Sequence, residues 1–234
     1  MRRALSVGMF VAVAVAFAVA VPRTVGGDAT GTVEGTVTVA HPPANKATKV
    51  TDANQRGVCG AEQRGEEVMA RGGKLAGVVV WIDGAAAPAG LHAHGIKLGQ
   101  QGCRFVPHVQ TATKGAVLTI TSEDSVLHNV HAFGDGDRTL FNLAIPVKGM
   151  SVRRPNLQPG RMRFKCDAGH TWMSAYIQVF PHPYHAVSGN NGAFEIEGLP
   201  AGSYTAHAWH ERLGEKNARV TVTAGGTAEL TFAY

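Results

Sequence analysis

The chain is poor in charged side chains and in cysteine, and it contains neither a Gly-rich phosphate-binding loop nor an internal repeat. Charged residues form 17% of the 234 residues and hydrophobic residues 44%, so a largely disordered protein is excluded because enough apolar surface is present for a core. Basic residues outnumber acidic residues by only 22 to 17, and they are scattered, which argues against a nucleic-acid partner.

Helical periodicity is also absent after residue 21, where short alternating runs are separated by many of the 29 glycines and 11 prolines. Alternation is typical of half-buried strands, so the sequence predicts an all-β fold. A single short helix is expected near residues 61–70, and Pro107 should place the run 104–109 at a sheet edge or bulge. Further strands are expected at residues 33–39, 78–82, 115–121, 162–166 and 173–180.

The first residues have the pattern of a secretory signal. Arg2 and Arg3 precede an apolar run over residues 4–21, and Ala18 and Ala20 form an A-x-A cleavage site. We therefore expect residues 1–21 to be a signal peptide and the protein to be exported, to a periplasm or the extracellular space. The alternative is an uncleaved anchor, and membrane contact is expected only in that case.

The most specific motif combines three metal-binding side chains within eight residues: Cys166, His170 and Met173. It lies between two alternating runs, so these donors should occupy a turn between strands. Two histidines, one cysteine and a weak axial methionine form the ligand set of a mononuclear blue-copper site. His128, in an upstream loop, is the candidate for the second histidine, and the set predicts one bound copper ion.

The cysteine count is odd, which matters in an exported protein. Cys59 and Cys103 could form a disulfide, leaving Cys166 as the free thiol. An unpaired cysteine is a liability in an oxidising compartment unless it has a role, and metal binding supplies one. The alternative is an inert, buried Cys166.

Residues 104–180 resemble the cupredoxin family in the order of their motifs: a Gly-led strand, the turn Ser122-Glu-Asp124, His128-Asn129, and then the motif with Cys166. The resemblance implies a Greek-key sandwich in which the copper ligands are His128, Cys166, His170 and Met173. It also implies that Asn129 ties the two ligand loops together. Position 162 is Met where a binuclear copper motif has a second Cys, so one copper is favoured, with a two-copper variant through Met162 left open.

Three further residues are expected near the site. His108 and His131 lie next to the proposed site strands, and either could support the ligands or replace His128. His131 should project to the opposite face of an extended chain from His128, because three residues separate them. Trp172, between His170 and Met173, should shield the metal or simply fill the core.

The last fifty residues carry turn motifs of a different kind. Asn191-Gly-Ala-Phe194 and the following Leu199-Pro-Ala-Gly202 resemble carboxypeptidase-regulatory-like or transthyretin-like sandwiches. We therefore divide the chain into a cupredoxin-like domain over residues 28–182 and a small antiparallel β-sandwich segment over residues 183–234. Gly31–Gly35 resembles the first strand of that same fold, so the N-terminal strand could complete the second sandwich.

These features predict an exported copper-binding protein for one-electron transfer or copper carriage, with an unidentified redox or copper-delivery protein as partner. Four protein ligands leave no open metal position for a substrate, so no enzyme is expected. The alternative function is a surface-binding β-sandwich module for carbohydrate or protein without a redox role. A structural zinc site is a weaker possibility, because zinc gains little from a thioether.

Overall fold

The structure, a computed structural model, describes residues 30–234, and the predicted signal peptide lies outside the described residues. The described chain is mostly β-strand, as the sequence predicts, with one short α-helix, α1 (Ala53–Cys59), and a 3-10 turn at Asp135–Asp137. In chain order the strands are β1 (Thr30–Thr38), β2 (Ala47–Lys49), β3 (Glu62–Arg64), β4 (Met69–Arg71), β5 (Lys74–Ala76), β6 (Val79–Asp83), β7 (Ile96–Gln100), β8 (Phe105–Val106), β9 (Val109–Thr113), β10 (Leu118–Ser122), β11 (His128–Phe133), β12 (Thr139–Ile145), β13 (Ser151–Arg154), β14 (Gly160–Lys165), β15 (Ser174–Phe180), β16 (His185–Val187), β17 (Ala193–Pro200), β18 (Gly202–His210), β19 (Gly214–Val222) and β20 (Thr227–Ala233).

Strands β7 to β15 form one sandwich of two sheets. One sheet has the order β13-β10-β7-β8 and the other β12-β11-β14-β15-β9. Their inner faces alternate with outer polar residues and bury a shared core, as expected for two packed sheets. This core contains Leu98 and Ile120 from the first sheet and Val130, Phe164 and Ile177 from the second.

The remaining long strands form a second sandwich from both ends of the chain. Strand β1 pairs with β17 on one side and with β20 on the other, and β6 lies between β16 and β18. A separate apolar core fills this sandwich and includes Val33, Val37, Ile82, Leu199 and Phe232. The N-terminal strand therefore completes the second sandwich.

The strand pairing does not follow the predicted division at residue 182. Strands β1 and β6, expected in the first domain, share sheets with strands that follow residue 184. The described part of the chain enters the second sandwich with β1, forms the first sandwich from residue 96 to residue 180, and then returns to the second. Alternation along a strand specifies which face is buried but not which distant strand is its neighbour.

A third apolar cluster joins the two sandwiches. Val109 and Phe180 from the first sandwich pack with Val79 and Trp209 from the second. Arg161 lies over the Trp209 ring with its guanidinium carbon 3.9 Å from the ring centroid, and Tyr176 meets the same ring edge-on. The two sandwiches therefore share a buried contact in addition to the connecting chain.

Two local predictions meet different outcomes. The helix expected at residues 61–70 is wrong: α1 ends at Cys59, and β3 and β4 occupy much of that range. Helix α1 begins where Asp52 accepts a hydrogen bond from the Gln55 N–H at 2.9 Å, a standard N-cap that favours this earlier start.

The edge prediction for residues 104–109 is confirmed, because Pro107 separates β8 and β9, each of which lies at the edge of a sheet.

Within residues 30–234, no helix combines the length and the apolar character needed to span a bilayer.

Candidate metal centre

Three strand ends bring the predicted donors to one end of the first sandwich. His128 is the first residue of β11, Cys166 directly follows β14, and Met173 directly precedes β15. Strand β14 pairs antiparallel with both β11 and β15. The start of β11, the end of β14 and the start of β15 therefore lie at the same end of the sheet. His128 therefore lies on a strand rather than in the loop that the sequence suggested.

The donor atoms of His128, Cys166 and His170 form a small triangle. The two Nδ1 atoms are 3.1 Å apart, and the Cys166 Sγ lies 3.5 Å from the His170 Nδ1 and 3.9 Å from the His128 Nδ1. A point equidistant from these atoms lies about 2 Å from each, which is the length of a metal–imidazole bond. The three residues are buried and can hold a metal ion together.

His128 is oriented by a carboxylate. Its Nε2 lies 2.9 Å from Asp124 Oδ2, and Asp124 also accepts hydrogen bonds from the backbone N–H groups of Gly102 and Cys103, each at 2.8 Å. A neutral imidazole carries one proton, and the carboxylate places it on Nε2. The Nδ1 lone pair is thereby directed toward Cys166 and His170, as in metal sites where a carboxylate supports the histidine ligand.

His170 is enclosed on its other side by the disulfide. Its Nε2 is 3.7 Å from the Cys59 Sγ, and the Cys59–Cys103 bridge is formed as the sequence predicts. Trp172 meets the imidazole edge-on, with ring centroids 5.3 Å apart, and donates its Nε1–H to the Cys103 carbonyl at 2.8 Å. The half-buried indole therefore shields His170 and binds the disulfide segment to the ligand turn.

Burial keeps both imidazoles in the neutral form that binds metal ions. Desolvation lowers the pKa of His170 to about 4, helped by the nearby His128. Desolvation also lowers the pKa of His128, although Asp124 opposes that shift. Neither ring needs to lose a proton before it coordinates a metal near neutral pH.

Cys166 is the free cysteine of the described chain, and it is buried. Burial raises the pKa of its thiol, although backbone N–H groups of Asn129, Ala168 and His170 favour the thiolate. The Asn129 N–H points at the sulfur from 3.4 Å. Such N–H groups stabilise a thiolate ligand, so metal binding at this cysteine is coupled to the release of one proton.

Met173 is 2% exposed and belongs to the same core cluster as Cys166. Its backbone N–H donates to the His170 carbonyl at 2.9 Å, which closes the turn that carries both residues. Gly169, just before His170, has a φ of +87°, a conformation that favours glycine. The turn thus holds a buried methionine three residues after His170, in the core cluster that also contains Cys166.

Asn129 connects the two ligand segments. Its Oδ1 accepts a hydrogen bond from the Asp167 N–H, and its Nδ2 donates to Asn142 Oδ1 at 2.5 Å. His128 directly precedes Asn129, and Cys166 directly precedes Asp167. The Asn129 side chain therefore holds both donor residues in register. This is the position that the cupredoxin resemblance implies for Asn129.

The other two candidate histidines, His131 and His108, lie outside the triangle of donor atoms. His131 is on the opposite face of β11, where its Nδ1 contacts Asp167 at 2.6 Å and its Nε2 contacts Thr139 at 2.9 Å. His108 is buried against the second sandwich, where it contacts Glu211 through Nε2 and the Ser174 carbonyl through Nδ1 at 2.9 Å. Neither belongs to a group of possible metal ligands in the described chain.

Sequence reasoning missed two parts of the site. The sequence pattern places Asp124 only in a turn, although its position four residues before His128 is a spacing that permits direct contact. The disulfide was predicted, but its contact with His170 was not, because Cys59 and His170 are 111 residues apart in the chain. No local pattern reports a contact of that separation.

Comparison with known proteins finds similarity to copper proteins over part of the chain. A purple cupredoxin from Nitrosopumilus maritimus is 19% identical, covering 36% of this chain and 98% of its own, with a TM-score of 0.32. A Cu(I) form of an amicyanin mutant is 17% identical, covering 43% of this chain and 98% of its own, with a TM-score of 0.32. A Cu-containing nitrite reductase from Thermus scotoductus SA-01 is 19% identical, covering 41% of this chain and 25% of its own, with a TM-score of 0.31. No protein-family model and no curated protein matches the chain.

Proposed function

We propose that this protein binds one copper ion through His128, Cys166, His170 and Met173 and serves one-electron transfer or copper carriage outside the cytoplasm. The observation that carries the proposal is the triangle formed by two imidazole nitrogens and a thiol sulfur around a point about 2 Å from each. Two histidines and a cysteine in a plane, with a methionine nearby, are the donors of a blue-copper site.

The protein residues suit a one-electron centre because they are held rigidly. The Asp124 carboxylate fixes the orientation of His128, and Asn129 ties the β11 and β14 ends together. Copper bound there would supply a one-electron couple between Cu(I) and Cu(II). A rigid donor set limits the structural change between the two oxidation states, which favours fast electron transfer.

Burial of the donors supports a role without substrate chemistry at the metal. His128 and His170 are 0% exposed, and Cys166 is 5% exposed. A substrate would have to displace one of these buried side chains, because four protein donors leave no open position. Electrons can reach a buried centre through packed side chains, whereas substrate atoms cannot.

Exposed apolar side chains near the donor end support a protein partner. Leu127 directly precedes His128 and is 52% exposed. Val147 is 58% exposed, and it lies two residues after Ile145, the strand partner of His128. Both side chains lie at the donor end of the sandwich, because they flank the paired residues His128 and Ile145. A redox or copper-delivery protein that docks there would approach the metal closely.

The disulfide supports export. Structural disulfides persist in oxidising compartments such as the periplasm and the extracellular space, and are rare in the cytosol. The buried Cys59–Cys103 bridge is therefore consistent with a protein that works outside the cytoplasm. Mass spectrometry of the protein purified from its native host would show whether residues 1–21 are removed.

The deciding experiment adds Cu(II) to the folded, oxidised protein and records its visible spectrum and copper content. We expect one copper per chain and an intense thiolate-to-copper charge-transfer band, both lost in Cys166→Ser. Met173→Leu should retain the band and raise the reduction potential, since a weak axial ligand tunes the potential more than it anchors copper. Met162→Leu, at a second buried methionine, is the matched control and should leave both unchanged. A band that survives in Cys166→Ser would disprove the proposal.

A further inference from the structure

His170 presents one ring nitrogen to each of two sulfur groups. Its Nδ1 lies 3.5 Å from the Cys166 Sγ, and its Nε2 lies 3.7 Å from the Cys59 Sγ on the opposite side of the ring. The disulfide sulfurs have no proton and coordinate metals poorly. The contact to Nε2 is therefore weak in the oxidised protein.

The Cys59 and Cys103 sulfurs and a His170 ring nitrogen lie within 4.8 Å of one another, and all three residues are buried. Two cysteine thiolates and one imidazole form a soft donor set, which Cu(I) prefers over harder ligands. Reduction of the disulfide would convert two poor donors into two strong ones without a large movement of the chain.

We propose that reduction of the Cys59–Cys103 disulfide creates a second metal site, suited to Cu(I), formed by the two cysteine thiolates and the His170 Nε2. A dithiol reductant attacks one sulfur and then resolves the mixed disulfide, so that the protein disulfide gains two electrons and two protons while the dithiol becomes a disulfide. Cu(I) then replaces the two thiol protons. The metal keeps its oxidation state throughout.

The two sites share the His170 imidazole, and as a neutral ring it serves one of them at a time. A neutral imidazole carries one proton and one free ring nitrogen. When Nδ1 binds copper beside Cys166, Nε2 carries the proton, and when Nε2 binds Cu(I), Nδ1 carries it. Reduction would thus let the second donor set compete with the first for Cu(I), a step that rests on the proposed function, although the second site does not.

The chain around Cys59 would allow a reductant to approach. Cys59 is the last residue of α1, and it is the only buried residue of this seven-residue helix. A helix with so few buried contacts opens locally at low cost in free energy. Cys103 is held more firmly, because its N–H donates to Asp124 and its carbonyl accepts from Trp172.

The test uses Cys166→Ser in the full-length chain, because this variant lacks the thiolate of the first site and leaves the second intact. The protein is reduced with a water-soluble phosphine, desalted without oxygen, and titrated with Cu(I) against bicinchoninate, a coloured Cu(I) chelator. We expect one tightly bound Cu(I) per chain after reduction and none before. X-ray absorption should show two sulfur neighbours and one nitrogen neighbour.

Two matched variants identify the ligands. Cys59→Ser/Cys103→Ser in the Cys166→Ser background should bind no Cu(I) after the same treatment. His170→Gly in that background should retain both thiols but bind Cu(I) at least about tenfold more weakly, because one ligand is lost. Binding by the variant without cysteines, or equal affinity in His170→Gly, would overturn the proposal. Equal affinity would be the result if reduction unfolded the chain and the thiols acted alone.

Failure of this experiment is distinguishable from failure of the proposed function. The blue-copper test uses the oxidised protein, in which Cys59 and Cys103 are bridged, and the reduction test uses a protein without Cys166. Each result therefore reports on one site.

Discussion

Asp124 accepts three hydrogen bonds at 2.8 to 2.9 Å, and through the one from His128 it selects the ring nitrogen that is free for a metal. The other two come from the backbone beside Cys103. A single buried carboxylate therefore orients one of the proposed metal ligands and positions the disulfide segment at the same time. Its substitution should affect copper binding even though Asp124 is not itself a ligand.

We expect Asp124→Asn to weaken copper binding by about 10- to 100-fold, the usual effect of removing a carboxylate that supports a histidine ligand. An amide in this position does not require the proton on His128 Nε2, so the Nδ1 lone pair is less often available. Competition with a copper chelator measures the affinity. Glu123→Gln, at the exposed neighbouring residue, is the control and should bind copper like the parent protein.

His128 and His131 can be distinguished by removing each ring. His128→Gly should abolish the charge-transfer band and allow added imidazole to restore it, because the deletion opens a coordination position. His131→Gly should leave the band largely intact, because His131 contacts Asp167 and Thr139 on the opposite face of the strand. Rescue by imidazole in His131→Gly alone would show that His131 is the ligand.

Buried neutral histidines should make the metal-free protein sensitive to acid. Burial lowers the pKa of His170, His185 and His210 to about 4. Between pH 6.5 and about 4 the unfolded chain binds protons at these residues and the folded chain does not, so the free energy of unfolding falls as the pH falls. Each residue contributes at most roughly 1.4 kcal/mol per pH unit in this window.

Urea unfolding at several pH values between 7 and 4.5 measures this dependence. His210→Gln should flatten the curve, because one histidine no longer takes up a proton on unfolding. The exposed His41→Gln is the control and should leave the slope unchanged. A stability that stays constant from pH 6.5 to 4.5 would contradict the assignment of these residues as neutral.

At the level of the secondary-structure elements, β1 holds the second sandwich together because it pairs on both sides. Gly35 lies at its centre, opposite Phe194 of β17 and Leu230 of β20. A Cβ atom at this position would lie 1.9 Å from the Leu230 carbonyl oxygen and 2.7 Å from the Phe194 ring. The close approach of three strands therefore requires glycine.

We expect Gly35→Ala to destabilise the protein by about 1–3 kcal/mol, because the strands must separate to accept the methyl group. Gly57→Ala in α1 is the matched control: no atom lies within 4 Å of its Cβ position. Alanine favours a helix over glycine, so Gly57→Ala should be neutral or stabilising by up to about 1 kcal/mol. Thermal or urea unfolding measures both, and equal stabilities would contradict the described packing.

On the scale of the whole molecule, an ion pair links the two sandwiches. His108 of the first sandwich contacts Glu211 of the second, and their side chains are 4% and 6% exposed. Burial opposes protonation of His108, but the hydrogen bond and charge of Glu211 outweigh it, and the pKa of His108 is raised. The contribution of the pair to the free energy of unfolding is complete below pH 6.5 and is lost as the pH rises through the raised pKa of His108.

Glu211→Gln should therefore destabilise the protein by about 3–5 kcal/mol at pH 6, as expected when one partner of a buried ion pair is removed. The loss should shrink as the pH rises through the raised pKa of His108 and the imidazole becomes neutral. Glu62→Gln, which removes the partner of Arg64 at the surface, should change the stability by less than about 1 kcal/mol. An effect of Glu211→Gln that does not depend on pH would show that the contact is not an ion pair.

The sequence by itself determined the character of the fold and the candidate donors of the proposed site. Alternating runs and frequent turn residues predicted strands, and β6, β10, β14 and β15 lie where the pattern placed them. The motif from Cys166 to Met173 predicted three donors on one turn, because residues so close in the chain must also be close in space. With Cys166 assigned to a metal, only Cys59 and Cys103 remained to form the disulfide.

Only the tertiary structure decided which distant elements meet. Hydrogen-bonding groups are the same in every strand, so nothing in the sequence of β1 specifies that its neighbours are β17 and β20 at the far end of the chain. The same holds for the disulfide against His170 and for Glu211 against His108, which lie 111 and 103 residues apart in the chain. Such contacts arise from the packing of two sandwiches, which depends on all their buried side chains together and not on any local pattern.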